Sequence, residues 1–230
     1  LQGDGRQIFF SILHTARIIT FMRIIGGIAA GLLIKVPKGY DVRPTPDLVR
    51  QAIFNSLGGR VINACVLDLF SGSGALGLEC LSRGASHVTS VEKVQRHAQM
   101  IRQNLAVTNL PPEKLDLRAQ DVFVALAQLA AAHQQFDLIL ADPPYGEKNL
   151  GRRSTSQAQR LLDYPEPLAL LTASGLFVLG HTKRDTLSLP ATWEEVRILK
   201  HGDSWMRFLR RQPELGDQRP VKVESHPICS

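Results

Sequence analysis

An α/β protein with a mostly parallel sheet is what this sequence predicts, on three observations. From residue 61 onward, short apolar runs alternate with windows of helical periodicity, the texture of successive βαβ units. A glycine loop, LDLFSGSGALG at 67–77, joins one such run to a helical window. The continuous apolar run FDLILAD at 136–142 ends in an acid, as expected of an inner parallel strand. With 230 residues and 44% apolar content the chain can build one good core with a small appendage. Bulk disorder, a collagen-like chain and a disulfide scaffold are excluded.

Taken in order, residues 1–21 hold no methionine and read as a leader outside the natural protein, which would start at Met22. Residues 22–60 form an N-terminal extension. Its first half reads as one or two short strands with turns at Gly26-Gly27 and at 37–39. In RPTP at 43–46 the prolines hold the chain extended, and Asp47 or Thr45 then caps a helix ending at Leu57. The spacing of Leu48, Ile53, Phe54 and Leu57 puts Arg50 and Gln51 on another face.

The main domain spans 61–210. Strands are predicted at 64–70, 87–92, 114–118, 136–142 and 175–182, with helices at 75–83, 93–107, 122–132 and 157–172. Residues 194–200 and 204–210, across a turn at His201–Asp203, form an antiparallel hairpin closing the sheet. Residues 146–156 are a polar, basic loop, and 211–230 read as a flexible tail.

The formal net charge of +6 is unevenly placed, because residues 1–60 alone carry +5. From Met22 to Arg60 the excess is still +4, and Lys148, Arg152 and Arg153 form a second basic patch. Such asymmetry suggests an anionic partner, with nucleic acid first in line. Three cysteines without metal-ligand spacing argue against structural zinc and fit a reducing compartment. The apolar stretch 8–34 is interrupted by Arg17 and Arg23 and is too broken to span a bilayer, so a cytoplasmic protein is expected.

Two motifs carry chemistry. Gly72, Gly74 and Gly77 satisfy G-x-G-x-x-G between strand and helix, and Glu92 closes the next strand 20 residues beyond Gly72. Glycines allow a tight turn and close backbone approach, and the carboxylate can accept both ribose hydroxyls of a nucleotide-like cofactor. A dinucleotide and a sulfonium-bearing nucleoside both remain open at this point. Asp68 is placed to face a cationic cofactor, and Asp121 either takes an adenine amine or caps a helix.

The second motif is ADPPYG at 141–146. Two prolines make a stiff rim at the carboxyl end of the sheet, where open α/β proteins bind ligands. Asp142 and the Pro143 carbonyl offer acceptors and Tyr145 a flat face, a set suited to an extruded purine held by its amino group. Acceptors on an exocyclic amine favour its rehybridisation as the nitrogen attacks an electrophilic methyl.

These blocks, together with MRIIGG at 22–27, RPTPDLVRQAIFNSL at 43–57, the SRGA extension of the glycine motif at 82–85 and the Asn104-Leu105 pair, resemble the RsmD-like family of bacterial 16S rRNA guanine-N2 methyltransferases. The resemblance runs from about Met22 to Arg210. It implies a Rossmann-like class I methyltransferase fold, a seven-stranded mostly parallel sheet with a small N-terminal extension. It implies S-adenosylmethionine as cofactor and methyl transfer to N2 of one guanine, position 966 in the reference rRNA, on a partly assembled 30S subunit; beside it, a monomer with neither metal nor membrane is expected. Carried over, Asp142, Pro143 and Tyr145 are catalytic. Asp68, Phe70, Gly72, Gly74, Glu92, Lys93, Asp121 and Val122 bind the cofactor, with Arg43 and Thr45 beside it. Arg50, Pro144, Lys148, Arg152 and Arg153 meet the RNA. After Gly27 this chain has IAAGLLIK where the family usually carries an aromatic and several basic residues.

An NAD-dependent oxidoreductase would explain the glycines and Glu92 but neither DPPY nor the basic extension. A DNA amino-methyltransferase would share DPPY, yet the chain has no room for a target-recognition domain. Methyl transfer to another RNA stands beside it as an alternative, and a silent RNA-binding protein would leave the complete motifs unexplained.

Overall fold

A computed structural model describes residues 20–37, 45–144 and 153–213 of the chain. The elements run β1 (Thr20–Arg23), β2 (Leu33–Val36), α1 (Asp47–Leu57), β3 (Cys65–Leu69), α2 (Ala75–Ser82), β4 (His87–Val91), α3 (Gln95–Thr108), β5 (Leu115–Arg118), α4 (Val122–Ala131) and β6 (Phe136–Ala141). They continue with α5 (Gln157–Asp163), α6 (Pro165–Leu170), β7 (Leu171–Thr182), β8 (Trp193–His201) and β9 (Ser204–Arg211).

The main sheet has seven strands in the order β5-β4-β3-β6-β7-β9-β8. Pairings from β5 across to β7 are parallel, while β9 runs antiparallel to both β7 and β8. Strand order reverses between β3 and β6, the switch point at which open α/β sheets leave a crevice at the carboxyl ends. The glycine loop leaves β3 and the Asp-Pro-Pro segment leaves β6, so both motifs meet there.

Side-chain alternation divides the core between the two faces of the sheet. Val66, Leu138, Leu140 and Val178 pack with α1, α2 and the N-terminal hairpin, whereas Leu67, Leu69, Ile139 and Leu179 pack with α4, α5 and α6. All eight residues of α2 are buried, because the sheet covers one side and the hairpin the other. Glu79 and Ser82 stitch that second contact. Glu79 accepts the amides of Ile25 (2.7 Å) and Gly26 (2.8 Å), and Ser82 Oγ accepts from Ala29 N (2.9 Å) while donating to the Gly26 carbonyl (2.6 Å). The extension is thus part of the core and not an outlying appendage.

Several expectations need correction. The helix expected at 157–172 is two helices broken at Tyr164, since Pro165 has no amide hydrogen to continue the first and instead starts the second. The following strand begins at Leu171, four residues earlier than expected, by pairing with Phe136 beyond a register shift. In α1 neither Asp47 nor Thr45 is the cap. Pro46 precedes the helix, with no side-chain cap bond. The buried face of α1 is Val49, Arg50, Ile53, Phe54 and Leu57, and Leu48 is 65% exposed. β1 takes in Thr20 and Phe21 from the end of the expected leader, paired with Val36 and Lys35 of β2, which leaves that expectation untouched. The proposed turn at 37–39 falls beyond Pro37, outside the described residues, as does the tail from 214. No helix among the described residues is long and apolar enough to cross a membrane, and none of their His, Cys, Asp and Glu side chains cluster as a metal site.

Candidate active site

A cleft of about 280 Å³ opens at the switch point. The glycine loop contributes Phe70 and Gly72, and the end of β4 contributes Glu92 and Lys93. The start of α4 contributes Asp121, Val122 and Phe123, and the β6 exit contributes Asp142, Pro143 and Pro144. Of the residues singled out in the sequence, these nine converge (Phe123 was not among them).

Backbone conformation explains the loop's composition. Gly72 (φ 56°) and Gly74 (φ 78°) are left-handed, and so is Phe70 (φ 57°), where a side chain makes the conformation costly by about 1 kcal/mol or more. Gly77 serves packing: a Cβ there would lie 3.0 Å from Asp68 Oδ2, Ser90 Oγ and Val88 Cγ1. Gly74 faces Ile101 and shapes the turn without lining the cleft. Asn104 ties the loop to the extension, its amide donating to the carbonyls of Ser73 and Lys35 (both 2.8 Å) and its oxygen accepting from Lys35 N (2.8 Å).

Glu92 holds the loop from the other side. One carboxylate oxygen accepts Gly72 N at 2.8 Å and the other accepts Val94 N at 2.7 Å, leaving one lone pair on each for a ligand. Asp121 is the helix cap that the sequence allowed, accepting Phe123 N at 3.0 Å, and it also pairs with Lys93 at 3.2 Å. The described lining has three acids, Glu92, Asp121 and Asp142, against one cation, Lys93. That balance suits a sulfonium and disfavours a pyrophosphate, for which the Gly72 amide is already engaged.

Asp68 sits behind the loop on the same sheet face as Val66, accepting Gly77 N at 3.1 Å, and does not line the cleft. Burial, reinforced by the charges of Glu92 and Asp142, pushes its carboxyl up to about 7 from 3.8. The folded protein therefore keeps this proton where the unfolded chain has released it. The stability so gained is complete below about pH 4 and is lost as pH rises to about 7. Asp68→Asn should remove a few kcal/mol of this pH dependence. Thermal melts from pH 4.5 to 8 would test it, and parallel curves for both proteins would refute it.

Asp142 is half-buried, and desolvation raises its carboxyl although a hydrogen bond from the Thr45 hydroxyl opposes the shift. Thr45 thus meets the cleft through Asp142 and does not itself line it. Arg50 is fully buried, donating to the Arg23 carbonyl (2.6 Å) and to Asp47 (2.8 Å), so it is not presented to RNA. Arg153 is on the surface, paired with Asp163 at 2.7 Å. Arg43, Tyr145, Lys148 and Arg152 lie outside the described residues.

The cleft includes four residues the sequence did not single out: Val94, His97, Phe123 and Gln157. His97 is buried with Nδ1 3.6 Å from Glu92, and its buried Nε2 has no hydrogen-bond partner among the described residues. Desolvation lowers its pKa and favours the neutral ring, despite Glu92. Phe123 is fixed edge-to-face against Tyr164 (5.1 Å) with the Arg160 guanidinium 4.0 Å from its centroid. A signal for these existed only in their position, one turn beyond Glu92 and two residues beyond Asp121.

The conserved hypothetical protein 95 family model matches residues 22–210. Ribosomal RNA small subunit methyltransferase D of Escherichia coli (strain K12) is 38% identical over 200 residues, covering 84% of this chain and 91% of that protein. Among solved structures, a Thermus thermophilus hypothetical protein aligns at TM-score 0.67 and 31% identity, over 82% of this chain and 99% of the other. The Thermus thermophilus 16S rRNA N2 methyltransferase RsmC, solved with AdoMet and guanosine, aligns at TM-score 0.62 and 22% identity, over 84% of this chain and 50% of that one. The last likeness speaks for fold alone. With the family match spanning both motifs and the whole sheet, the chain belongs to this family, the RsmD family of S-adenosylmethionine-dependent methyltransferases.

Proposed function

We propose that this protein methylates the exocyclic N2 amine of a guanine in 16S rRNA, guanine 966 in the reference numbering, on a partly assembled 30S subunit. The observation that carries the reading is the placement of the Asp142–Pro143 pair at the β6 exit, across the switch-point cleft from Glu92. Its relatives' naming as small-subunit rRNA methyltransferases supports the substrate class. The protein acts as a cytoplasmic monomer in this reading.

S-adenosylmethionine supplies an electrophilic methyl group. Glu92 accepts from the ribose hydroxyls, with Gly72 allowing close approach, and Lys93, Val122 and Phe123 close around the nucleoside beside Asp121. Asp142 and the Pro143 carbonyl accept the two amine hydrogens, which localises the nitrogen lone pair for attack and stabilises the positive charge that develops. After transfer the cationic nitrogen releases one proton to water, so no strong base is needed. Tyr145 stacks on the purine, and Pro144, with Lys148, Arg152 and Arg153, meets the surrounding RNA.

Labelled methyl transfer to 30S particles from a strain lacking the enzyme, with the modified nucleotide mapped, tests the target. Labelling of DNA, of an adenine or of another rRNA site would replace it. For the cofactor, Glu92→Ala is expected to weaken S-adenosylhomocysteine binding by about tenfold or more, the loss of hydrogen bonds to a charged acceptor. Calorimetry would show this, and wild-type protein binding NAD in preference would overturn the assignment.

A further inference from the structure

We propose that Thr45 is the positioning residue for Asp142, so that the N-terminal extension forms part of the active site. This rests on Asp142 being the amine acceptor. The carboxylate is held on two sides. Its Oδ1 lies against Gly180 of β7, where a Cβ would meet Asp142 Cγ at 3.2 Å and the Met206 sulfur at 3.1 Å. Its Oδ2 accepts the Thr45 hydroxyl. With the glycine admitting one oxygen and the hydroxyl loading the other, rotation of the carboxylate is blocked. The remaining lone pairs stay available to the cleft that Asp142 lines.

Thr45 is itself placed by a latch two residues on. Asp47, the first residue of α1, accepts from Arg23 Nε at 3.1 Å and from Arg50 at 2.8 Å. The same Arg50 nitrogen donates to the Arg23 carbonyl at 2.6 Å. The end of β1 is thereby locked to the start of α1, just where the chain passes Asp142. The latch gives Nη2 of the fully buried Arg50 its partners, in a helix that the sequence read as exposing this residue.

The charge environment makes the role measurable. Gly180 of β7 and Met206 of β9 lie beside the carboxylate, and β3 contributes Asp68, which senses its charge. Burial works against ionisation of Asp142, and the Thr45 hydroxyl is the described hydrogen bond that opposes it. The ionised form best stabilises the positive charge that develops on the amine, so activity falls as pH drops through the Asp142 pKa. Without the hydroxyl that limb moves to higher pH.

The experiment compares full-length wild type, Thr45→Val, Thr45→Ser and Asp142→Ala for methyl transfer to 30S particles across pH, with calorimetry of S-adenosylhomocysteine and thermal melts alongside. Thr45→Val is expected to lower kcat by about 10- to 100-fold, the range for a hydrogen bond to a charged group. Its acid limb should shift upward, its S-adenosylhomocysteine affinity should stay within about twofold, and serine should restore both kcat and the limb. A wild-type kcat and limb in Thr45→Val, a loss that serine does not rescue, or lost cofactor binding would each overturn the proposal. If Asp142→Ala itself stays active, the reading of the site fails first. If Asp142→Ala is inactive and Thr45→Val is not, only the positioning role fails.

Discussion

Replacing Asp142 by alanine is expected to lower methyl transfer to 30S particles by about 10²- to 10³-fold, the usual consequence of deleting one group aimed at developing charge. S-adenosylhomocysteine affinity should stay within a few-fold, because the loop and Glu92 are held by bonds that do not involve Asp142. An exocyclic guanine amine shares its lone pair with the ring and is a poor nucleophile until acceptors take its hydrogens. Alanine removes the side-chain acceptor and leaves the Pro143 carbonyl, so some activity should survive. Asp142→Asn keeps one acceptor oxygen without the charge, and its rate separates the two contributions. Equal labelling by wild type and Asp142→Ala would end this account of the site.

Both motifs were legible because their chemistry is local. The glycines, Glu92 and the Asp-Pro-Pro rim lie within short segments whose strand–loop placement follows from apolar runs, and the switch point brings them together. Contacts between distant segments were not legible. Thr45 reaches Asp142 across 97 positions, and nothing at 43–46 announces that bond. Arg50 misled for a related reason. Helical spacing places a charged residue on the solvent face by default, but the Arg23 carbonyl and the partly exposed Asp47 supply partners for one of its nitrogens, and the helix turns to suit. His97 was signalled only by its place five residues after Glu92, and it is the packing of α3 that brings its ring beside that carboxylate.

The second large effect concerns the extension. Gly27→Ala is expected to destabilise the protein by roughly 3 kcal/mol, lowering Tm by roughly 6–12 °C for a body of this size. Two costs combine there. Gly27 is left-handed (φ 79°), and a Cβ on it would run into the Ser82 carbonyl and stand 2.7 Å from Arg83 N. That neighbour is the end of a wholly buried helix, so neither side can yield cheaply. Gly31 provides the control, for it has the same handedness (φ 86°) with nothing within 4 Å of its absent Cβ. Gly31→Ala should therefore cost only the conformational part, about 1 kcal/mol. Equal melting temperatures for the two variants would mean the hairpin is not packed on α2 as described. If instead only the hairpin of Gly27→Ala opens, hydrogen exchange would rise at residues 24–36 while the sheet stays protected. Cofactor binding should then persist as methyl transfer falls, because the latch that places Thr45 begins at Arg23, at the foot of that same hairpin.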